Sequence, residues 1–492
     1  MDTVSRRFQH CFIGQLGDWC RAHQVRLIGH VVEENGAHAR LGYGSGHYFR
    51  SMDGMDMAGI DVVNNIYPGR TEGNFRTAFN NYDTTFNHWG LSKMASSCAN
   101  LDEKKQGNSI CEAFGAYGWS EGLKVMKWIT DAMCVRGINH IVPHAFSPAS
   151  FPDPDCPPHF YARGFNPQFR EFHQWSTYTN RVCERISGGK HIAPVAVLYH
   201  AEAEWGGKYQ PFEEVVKLLM QNQIDCEVVW CDLLTDLEKS CMKDGVLQIN
   251  GESFRILLVP YAEYLPQGLT ERLRKFAEEG LLVIFLKDYP KRSYFGREFI
   301  PGEGMLKSNE EKLIPLLENL NIRDIIPMEK KEHLAYYHYQ KENIDWYFFA
   351  NEGLTDTIFI NIQFRDKREA CFYDPMTGEF LKAVQRVCLS GEEERREVEM
   401  LLRPYESIFG VFGENTEVYE TVVVWLNGQK VGEMICPPYR FYLPEGSLFP
   451  GENEIVIEVT NTLAKAHHEN SYDRYWVQEP TGLLGPVEIL WK

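Results

Sequence analysis

Two patterns of apolar residues alternate along the first 190 residues of the chain. Short apolar runs predict strands, and stretches with apolar residues three or four positions apart predict amphipathic helices between them. The predicted strands are Val25–Val32, Gly59–Val63, Asn108–Ala113 and Ile138–Val142, and the predicted helices are Phe8–His23, Leu91–Ala99 and Leu123–Val135. Strands that alternate with helices form a parallel sheet or barrel. A complete barrel takes about 250 residues, so residues 1–190 predict a partial (β/α) barrel.

Residues 191–330 repeat the alternation with more strongly apolar strands. The predicted strands are Val195–Tyr199, Cys226–Trp230, Ile256–Val259 and Leu281–Leu286, separated by the predicted helices Phe212–Asn222 and Thr270–Glu279. Strands that are apolar on both faces are typical of an open, doubly wound sheet of the flavodoxin or amidotransferase type. The first strand is followed by Tyr199-His200-Ala201-Glu202 rather than a glycine-rich phosphate loop, which argues against nucleotide binding.

From residue 331 onwards the hydrophobic pattern changes to the period of two that is typical of antiparallel strands. Residues 331–415 predict a small β domain. Residues 416–492 predict further antiparallel strands, with Asn427-Gly428 as the turn of a hairpin. The predicted fold class is therefore α/β plus β, in four consecutive parts.

Composition narrows the class of protein. The 492 residues carry a net charge of −18, which argues against nucleic acids and anionic membranes as partners. The amino terminus lacks the apolar region of a signal peptide, and no apolar run approaches the roughly 20 residues of a membrane span. The 13 cysteines include no Cys-x-x-Cys pair. These features predict a cytoplasmic protein with reduced thiols and neither a disulfide framework nor a zinc site.

Polar side chains follow three of the predicted barrel strands. The first strand ends in His30, Glu33 and Glu34, the third carries Glu112, and the fourth is followed by His144. The carboxyl ends of parallel barrel strands meet on one face, so these residues are expected to share a pocket. Two carboxylates across such a pocket are able to hydrolyse a glycosidic bond. The alternative is that the acids are solvated at turns and the histidines are structural.

Two loops are expected to line the same pocket. A glycine-rich loop after Glu112 carries Tyr117 and Trp119. A proline-rich loop carries Asp153 and Asp155, which would bind sugar hydroxyls or a calcium ion. The alternative for the second loop is a stiff connection with solvated acids. Cys111 has no histidine orienter nearby in sequence, which argues against a cysteine nucleophile.

Several segments together resemble large bacterial glycoside hydrolases, namely the family 106 α-L-rhamnosidase type and its family-2-like cousins. They are Gly29-His30-Val31-Val32-Glu33, Ala58-Gly59-Ile60-Asp61, Cys111–Trp119, Arg136-Gly137-Ile138-Asn139, Pro143-His144-Ala145-Phe146 and Asp155-Cys156-Pro157-Pro158. Near the carboxyl terminus, Trp425-Leu426-Asn427-Gly428 and Gly482-Leu483-Leu484-Gly485-Pro486-Val487 resemble a galactose-binding-like β-sandwich in the same proteins.

The resemblance implies that Glu112 and Glu33 are the catalytic carboxylates. From their places at strand ends and in the two loops, the residues expected to bind substrate are His30, Glu34, Tyr117, Trp119, His144, Asp153 and Asp155. The resemblance also implies that residues 191–330 form an amidotransferase-like domain and residues 416–492 part of a galactose-binding-like sandwich. Such relatives carry further barrel strands, so a partner chain or a homo-oligomer is expected to complete the barrel here.

Two functions remain open from the sequence. The first is a glycoside hydrolase that acts on a carbohydrate substrate, with calcium as a possible ligand and no other cofactor expected. The second is a non-catalytic carbohydrate-binding or partner subunit of a split glycosidase. A nucleotide-dependent enzyme built on residues 191–330 is disfavoured because the phosphate loop is missing.

Overall fold

A computed structural model describes residues 1–31, 46–76, 81–144, 146–294, 296, 298–390, 393–413, 421–434, 443 and 446–460. Glu33 and Glu34, which were predicted as site residues, lie outside this part of the chain. So do the segment 482–487 and most of the predicted galactose-binding-like region.

The amino-terminal part contains a parallel sheet of three strands, which we call the half-barrel sheet: Ala58–Val62, Ser109–Ala113 and His140–Pro143, in that order. Its α- and π-helices are Asp2–Phe8, Gln9–Ile13, Gly14–Ala22, Tyr48–Met52, Phe86–Leu91, Ser92–Leu101, Leu123–Cys134 and Phe172–Arg185. Short 3-10 turns (Glu103–Lys105, Ala162–Gly164, Phe169–Glu171) and a small hairpin (Asn74–Arg76, Asn81–Asp83) complete it. Within the described residues the sheet does not close into a barrel.

The first predicted strand is wrong for residues 25–31, which form no strand in the structure. This segment nevertheless runs beside Ala58–Val62. The amide of Asp56 donates to the carbonyl of Leu27 at 2.8 Å, and the amide of Leu27 donates to the carboxylate of Asp56 at 2.7 Å. A Cβ on Gly59 would lie 1.7 Å from the carbonyl oxygen of Gly29. Because the Asp56 side chain takes the amide of Leu27, that amide is not available for a regular ladder.

The second part is a parallel five-stranded sheet with the order 2-1-3-4-5, which is the flavodoxin-like order. Its strands along the chain are Val195–Tyr199, Cys226–Trp230, Ile256–Val259, Leu282–Leu286 and Met305–Ser308. The helices are Ala201–Gly206, Phe212–Met220, Cys231–Thr235, Gln267–Glu278 and Glu310–Asn319. Shorter strands (Ser240–Lys243, Val246–Ile249, Glu252–Phe254, Tyr264–Leu265, Arg292–Ser293) lie outside this sheet. Alternate side chains of its strands pack into two separate cores, one of which is shared with the half-barrel sheet.

Two antiparallel sheets follow and enclose a further core of aromatic and aliphatic side chains. One sheet has the order Ile325–Pro327, Ile358–Phe364, Glu393–Leu402, Gln385–Ser390. The other has the order Glu379–Lys382, Ala370–Asp374, Ser407–Phe412, Ile344–Asn351, Leu334–Lys341, Lys190–His191. The outer face of the second sheet packs on the Phe172–Arg185 helix through Tyr178 and Val182, which fixes these sheets against the half-barrel part.

The last described element is a sheet of three antiparallel strands: Gln429–Met434, Thr421–Leu426 and Ile455–Thr460. Asn427 and Gly428 connect the first two strands of this segment with φ angles of 51° and 78°. Both angles are positive, as the two-residue turn predicted from the Asn-Gly pair requires. No helix in the described ranges is both long enough and apolar enough to cross a membrane.

Candidate functional site

Glu112 lies near the carboxyl end of the central strand of the half-barrel sheet and contacts His30. The Nε2 atom of His30 is 3.0 Å from Oε2 of Glu112, and its Nδ1 atom is 2.6 Å from the carbonyl oxygen of Val31. A carbonyl oxygen only accepts, so Nδ1 carries a hydrogen and donates it. The contact between Nε2 and the carboxyl group then requires a second proton, held on the imidazole or on the carboxyl. The pair therefore forms a proton-holding site.

Asp61 stands beside Glu112 on the same face of the sheet. The two residues are in register on adjacent parallel strands, and Val142 occupies the next position on the other side. Neighbouring strands lie about 4.8 Å apart, which brings the two acidic side chains close together. Asp61 is buried, whereas the Glu112 side chain is 38% exposed. Asp61 was not among the site residues predicted from the sequence, although it lies within a predicted strand and within one of the segments that carry the resemblance.

The loop after Glu112 has an unusual backbone. Phe114 and Ala116 have φ angles of 79° and 63°, and Gly118 has a φ angle of 84°. Positive φ angles are unfavourable for residues with a side chain, so the surroundings must enforce them. The amides of Ala116 and Gly118 donate to the carbonyls of Cys156 and Pro157 at 3.2 and 2.8 Å. The glycine-rich loop and the proline-rich loop are thus bonded together, as parts of one site.

His144 packs against the glycine-rich loop. Its amide donates to the carbonyl of Ala113 at 2.7 Å, directly after Glu112. A Cβ on Gly115 would lie 2.9 Å from Nδ1 of His144, so this glycine allows the imidazole to approach the backbone. Nδ1 has no hydrogen-bond partner among the described residues.

Tyr117 points its hydroxyl at backbone rather than at open solvent. The hydroxyl donates to the carbonyl of Ile66 at 2.9 Å and accepts from the amide of Ile66 at 3.2 Å. Burial raises the pKa of Tyr117 well above its ordinary value. The ring lies 5.1 Å from the ring of Tyr67. The Tyr117 hydroxyl therefore holds the loop in place through its bonds to Ile66. Because the ring is partly exposed, the ring is the part of Tyr117 that is available to contact a ligand.

Glu121 is a buried acid that was not among the site residues predicted from the sequence. It is buried, and neither carboxyl oxygen has a hydrogen-bond partner among the described residues. Burial raises the pKa of Glu121 to about 9, so it carries a proton at neutral pH. Only its place in the loop, two positions after Trp119, was available as a sequence signal.

The proline-rich loop uses one of its acids for its own structure. Asp153 accepts from the hydroxyl of Ser147 and, at 3.0 Å, from the amide of Asp155. The bond from Ser147 and that amide lower the pKa of Asp153. Asp155 is exposed. Trp119 from the other loop is also exposed, and its ring lies 5.8 Å from that of His159.

The structure brings His30 and Glu112 into contact, and it joins the loops that carry Tyr117, Trp119, Asp153 and Asp155. The predicted pairing of Glu112 with Glu33 concerns a residue outside the described part. In the described ranges, one group of acidic, thiol and imidazole side chains has its ligand atoms within 4.8 Å of one another: Glu202, Cys231 and Asp232. Arg50 already donates to both carboxylates, at 3.1 and 2.7 Å, so both are paired with a guanidinium.

No family model matches the chain, and no curated protein sequence is similar to it. Solved structures do have a similar fold. The chain is similar to a rhamnosidase from Novosphingobium sp. PP1Y, with a TM-score of 0.62 and 15% identity, over 98% of this chain and 55% of that one. It is similar to a catalytic mutant of a GH42 beta-galactosidase from G. stearothermophilus, with a TM-score of 0.50 and 11% identity, over 74% and 60% of the two chains.

An apo exo-carrageenase GH42 from Bacteroides ovatus gives a TM-score of 0.50 at 11% identity, over 83% of this chain and 56% of that one. The chain therefore spans little more than half the length of these structures. Identities this low show a shared fold. The structural neighbours of this mixed helix-and-sheet chain are glycoside hydrolases.

Proposed function

We propose that this chain carries the active-site part of a glycoside hydrolase of the rhamnosidase type, with Glu112 as a catalytic carboxylate. The observation that supports it most is the 3.0 Å contact between Nε2 of His30 and Oε2 of Glu112 at the carboxyl end of a parallel strand. Hydrolysis of a glycosidic bond needs a proton for the leaving oxygen and a carboxylate that stabilises the charged transition state. The fold shared with a rhamnosidase over 98% of the chain adds support.

The proposed mechanism assigns the proton to the Glu112–His30 pair. In the protonated pair, Glu112 delivers the proton to the oxygen of the leaving group, and His30 holds the carboxyl group in position. Glu33 is proposed as the second carboxylate, and its distance from Glu112 would decide between retention and inversion of configuration. The proposed substrate is a carbohydrate with a terminal deoxy or neutral sugar.

The test is hydrolysis of alkyl α-L-rhamnosides and alkyl β-D-galactosides, whose leaving oxygen needs a proton, by the wild type and by Glu112→Gln. We expect the variant to lose turnover while its thermal unfolding stays within a few degrees of the wild type, because the side chain is partly exposed. Glu369→Gln, at an exposed carboxylate in the connection between the strands Ile358–Phe364 and Ala370–Asp374, is the matched control. Unchanged hydrolysis by Glu112→Gln would remove Glu112 from the mechanism.

A second candidate function is a partner subunit of a split glycosidase. Apolar side chains are half exposed at both edges of the half-barrel sheet: Val25 and Ile28 at one edge, Val142 and Phe146 at the other. Exposed apolar edges of this kind are typical of surfaces that another chain covers. The subunit would contribute the strand ends of one half of a barrel, and a partner chain the other half.

The oligomeric state tests this candidate. Light scattering over a concentration series is expected to show association of the wild type that Val142→Glu abolishes. Phe359→Glu, a substitution at a similarly exposed ring elsewhere, is expected to leave association unchanged. A wild type that is monomeric at all concentrations would argue against self-association, and co-expression with candidate partners would then be required to maintain the subunit hypothesis.

A further inference from the structure

Three aromatic side chains next to the Glu112 loop are held on the surface instead of in a core. Trp119, Phe151 and Phe165 are 45%, 40% and 66% exposed. The rings of Trp119 and Phe151 meet edge to face at 5.5 Å, and those of Phe151 and Phe165 stack at 4.6 Å with an angle of 14° between their planes. We call these three residues the aromatic platform. Contiguous exposed apolar surface of this kind marks a place where a ligand or another molecule binds.

Hydrogen bonds and a ring contact hold the aromatic platform in place. Arg163 donates to the carbonyl of Ala149 at 3.2 Å and also to the carbonyl of Pro148, which ties the chain before Phe151 to the chain before Phe165. Trp119 stands one residue after Gly118, whose amide is bonded to Pro157. Its ring also contacts the ring of buried His159. The rings are therefore fixed relative to each other and to the loop that begins at Glu112.

The surroundings of the platform favour a saccharide over a protein partner. Asp155 lies exposed in the segment between Phe151 and Phe165, and carboxylate oxygens accept hydrogen bonds from hydroxyl groups. A pyranose ring offers C–H groups on its faces, which are attracted to the negative faces of aromatic rings, and hydroxyl groups at its rim. Three aromatic rings offer a stacking surface for the face of one sugar ring, and the carboxylate beside them accepts a hydrogen bond from its hydroxyl groups. A protein interface needs a much larger patch.

We propose that the aromatic platform is a subsite for the sugar ring on the leaving-group side of the scissile bond. This proposal rests on the proposed function. Trp119 lies on the loop that follows Glu112, and Phe151 and Phe165 flank the proline-rich loop that is hydrogen-bonded to it. In the proposal, the platform therefore contacts the part of the substrate that extends away from the carboxylate. Trp119 and Phe165 supply stacking surface, Phe151 holds them in place, and Asp155 accepts from a hydroxyl of the same ring.

The experiment compares substrates with and without a sugar as leaving group. Disaccharides in which L-rhamnose or D-galactose is linked to glucose test the subsite. The corresponding glycosyl fluorides carry the same sugar to be transferred, with a leaving group that needs no proton from Glu112 and leaves nothing for the platform to bind. We expect Trp119→Ala and Phe165→Ala to lower kcat/KM for the disaccharide by about threefold to tenfold, and Phe165→Ala to leave the fluoride unchanged. Phe359→Ala is the control for loss of an exposed ring.

Equal losses on both substrates, or no loss on either, would overturn the proposal. A second readout is independent of turnover: calorimetric titration of the disaccharides into Glu112→Gln and into Glu112→Gln combined with Phe165→Ala. Weaker binding by the double variant supports the platform even if Glu112 proves not to be catalytic. Equal affinities overturn the platform even if Glu112 is essential, so the two proposals fail separately.

Discussion

His30 and Glu112 are 82 positions apart in sequence, and their side chains meet at 3.0 Å. His30 belongs to the segment 25–31, which is no strand, and Glu112 belongs to the central strand of the half-barrel sheet. Their contact depends on how closely that segment approaches the neighbouring strand at Gly59. The chemistry of the site and the packing of the sheet are therefore linked.

Replacing His30 is expected to impair the chemical step more than substrate binding. In His30→Ala the second proton of the pair is lost and the carboxyl group of Glu112 loses its partner. Groups that transfer or hold a catalytic proton typically contribute on the order of 10²-fold or more to the rate. We expect kcat to fall by about that factor with KM little changed, and the pH dependence of kcat to change shape. His23→Ala, at an exposed histidine, is the control, and a change in KM alone would contradict the assigned role.

Gly59→Ala is expected to separate His30 from Glu112 without touching either. The new Cβ would lie 1.7 Å from the carbonyl oxygen of Gly29 and 3.0 Å from the amide nitrogen of His30. Both are backbone atoms, so the whole segment must move away from the sheet. We expect a loss of about 1–3 kcal/mol in stability from overpacking, together with a loss of activity similar to that of His30→Ala.

Gly268→Ala is the matched control for that substitution. The nearest atom to its new Cβ would be 3.9 Å away, and alanine favours the Gln267–Glu278 helix. Denaturant unfolding and kcat measured on both variants test the link. Full activity in Gly59→Ala would show that His30 keeps its place by other contacts.

Glu121 is expected to make the stability of the protein depend on pH. The pKa of about 9 in the folded state is above the ordinary value of 4.5, so ionisation in the unfolded chain above pH 4.5 favours unfolding. The free energy of unfolding should fall between pH 5 and pH 8, by up to about 1.4 kcal/mol per pH unit relative to Glu121→Gln, which cannot ionise. Urea unfolding of both proteins across that range is the measurement. Parallel pH dependences would show that the acid finds a partner when it ionises.

Strands whose apolar runs are continuous could be predicted from the sequence almost residue by residue. Val195–Tyr199, Cys226–Trp230 and Ile256–Val259 have the predicted bounds because burial on both faces demands apolar residues at every position. Val25–Val32 has a similar apolar pattern, but the amide of Leu27 in this segment donates to the carboxylate of Asp56, which is far along the chain. Local pattern carries no information about such a competitor.

Candidate site residues could be selected from the sequence mainly where they lie near the end of a predicted strand. Glu112 stood out because an acid follows an apolar strand and precedes a glycine-rich loop. Tyr117 shows the limit: its aromatic character predicted a ligand contact, whereas its hydroxyl is bonded to Ile66, 51 positions away. Burial of Glu121 likewise depends on the packing of the loop, and nothing in the neighbouring residues distinguishes it from a solvated acid.

A buried ionic cluster joins the three larger parts of the molecule, and we expect its histidine to make the stability of the protein depend on pH. His191, in the sheet shared with Leu334–Lys341, lies 2.8 Å from Asp225 and 2.5 Å from Glu227 at its two ring nitrogens. Lys93 from the half-barrel part pairs with Asp225 as well. Although burial disfavours a charged imidazole, these two carboxylates raise the pKa of His191 to about 9.

The sign of the pH effect follows from that shift. The folded-state pKa of His191 is above the ordinary 6.5, so its contribution is fully present below pH 6.5 and is lost as the pH rises through about 9. We expect His191→Gln to be destabilised at pH 6, since it leaves buried carboxylates with less compensation, by about 3–5 kcal/mol. The difference from the wild type should shrink by up to about 3 kcal/mol at pH 9. The measurement is guanidinium unfolding at both pH values, with the exposed His10→Gln as control. If the free energies of unfolding of the wild type and His191→Gln differ by the same amount at both pH values, His191 does not titrate in this range.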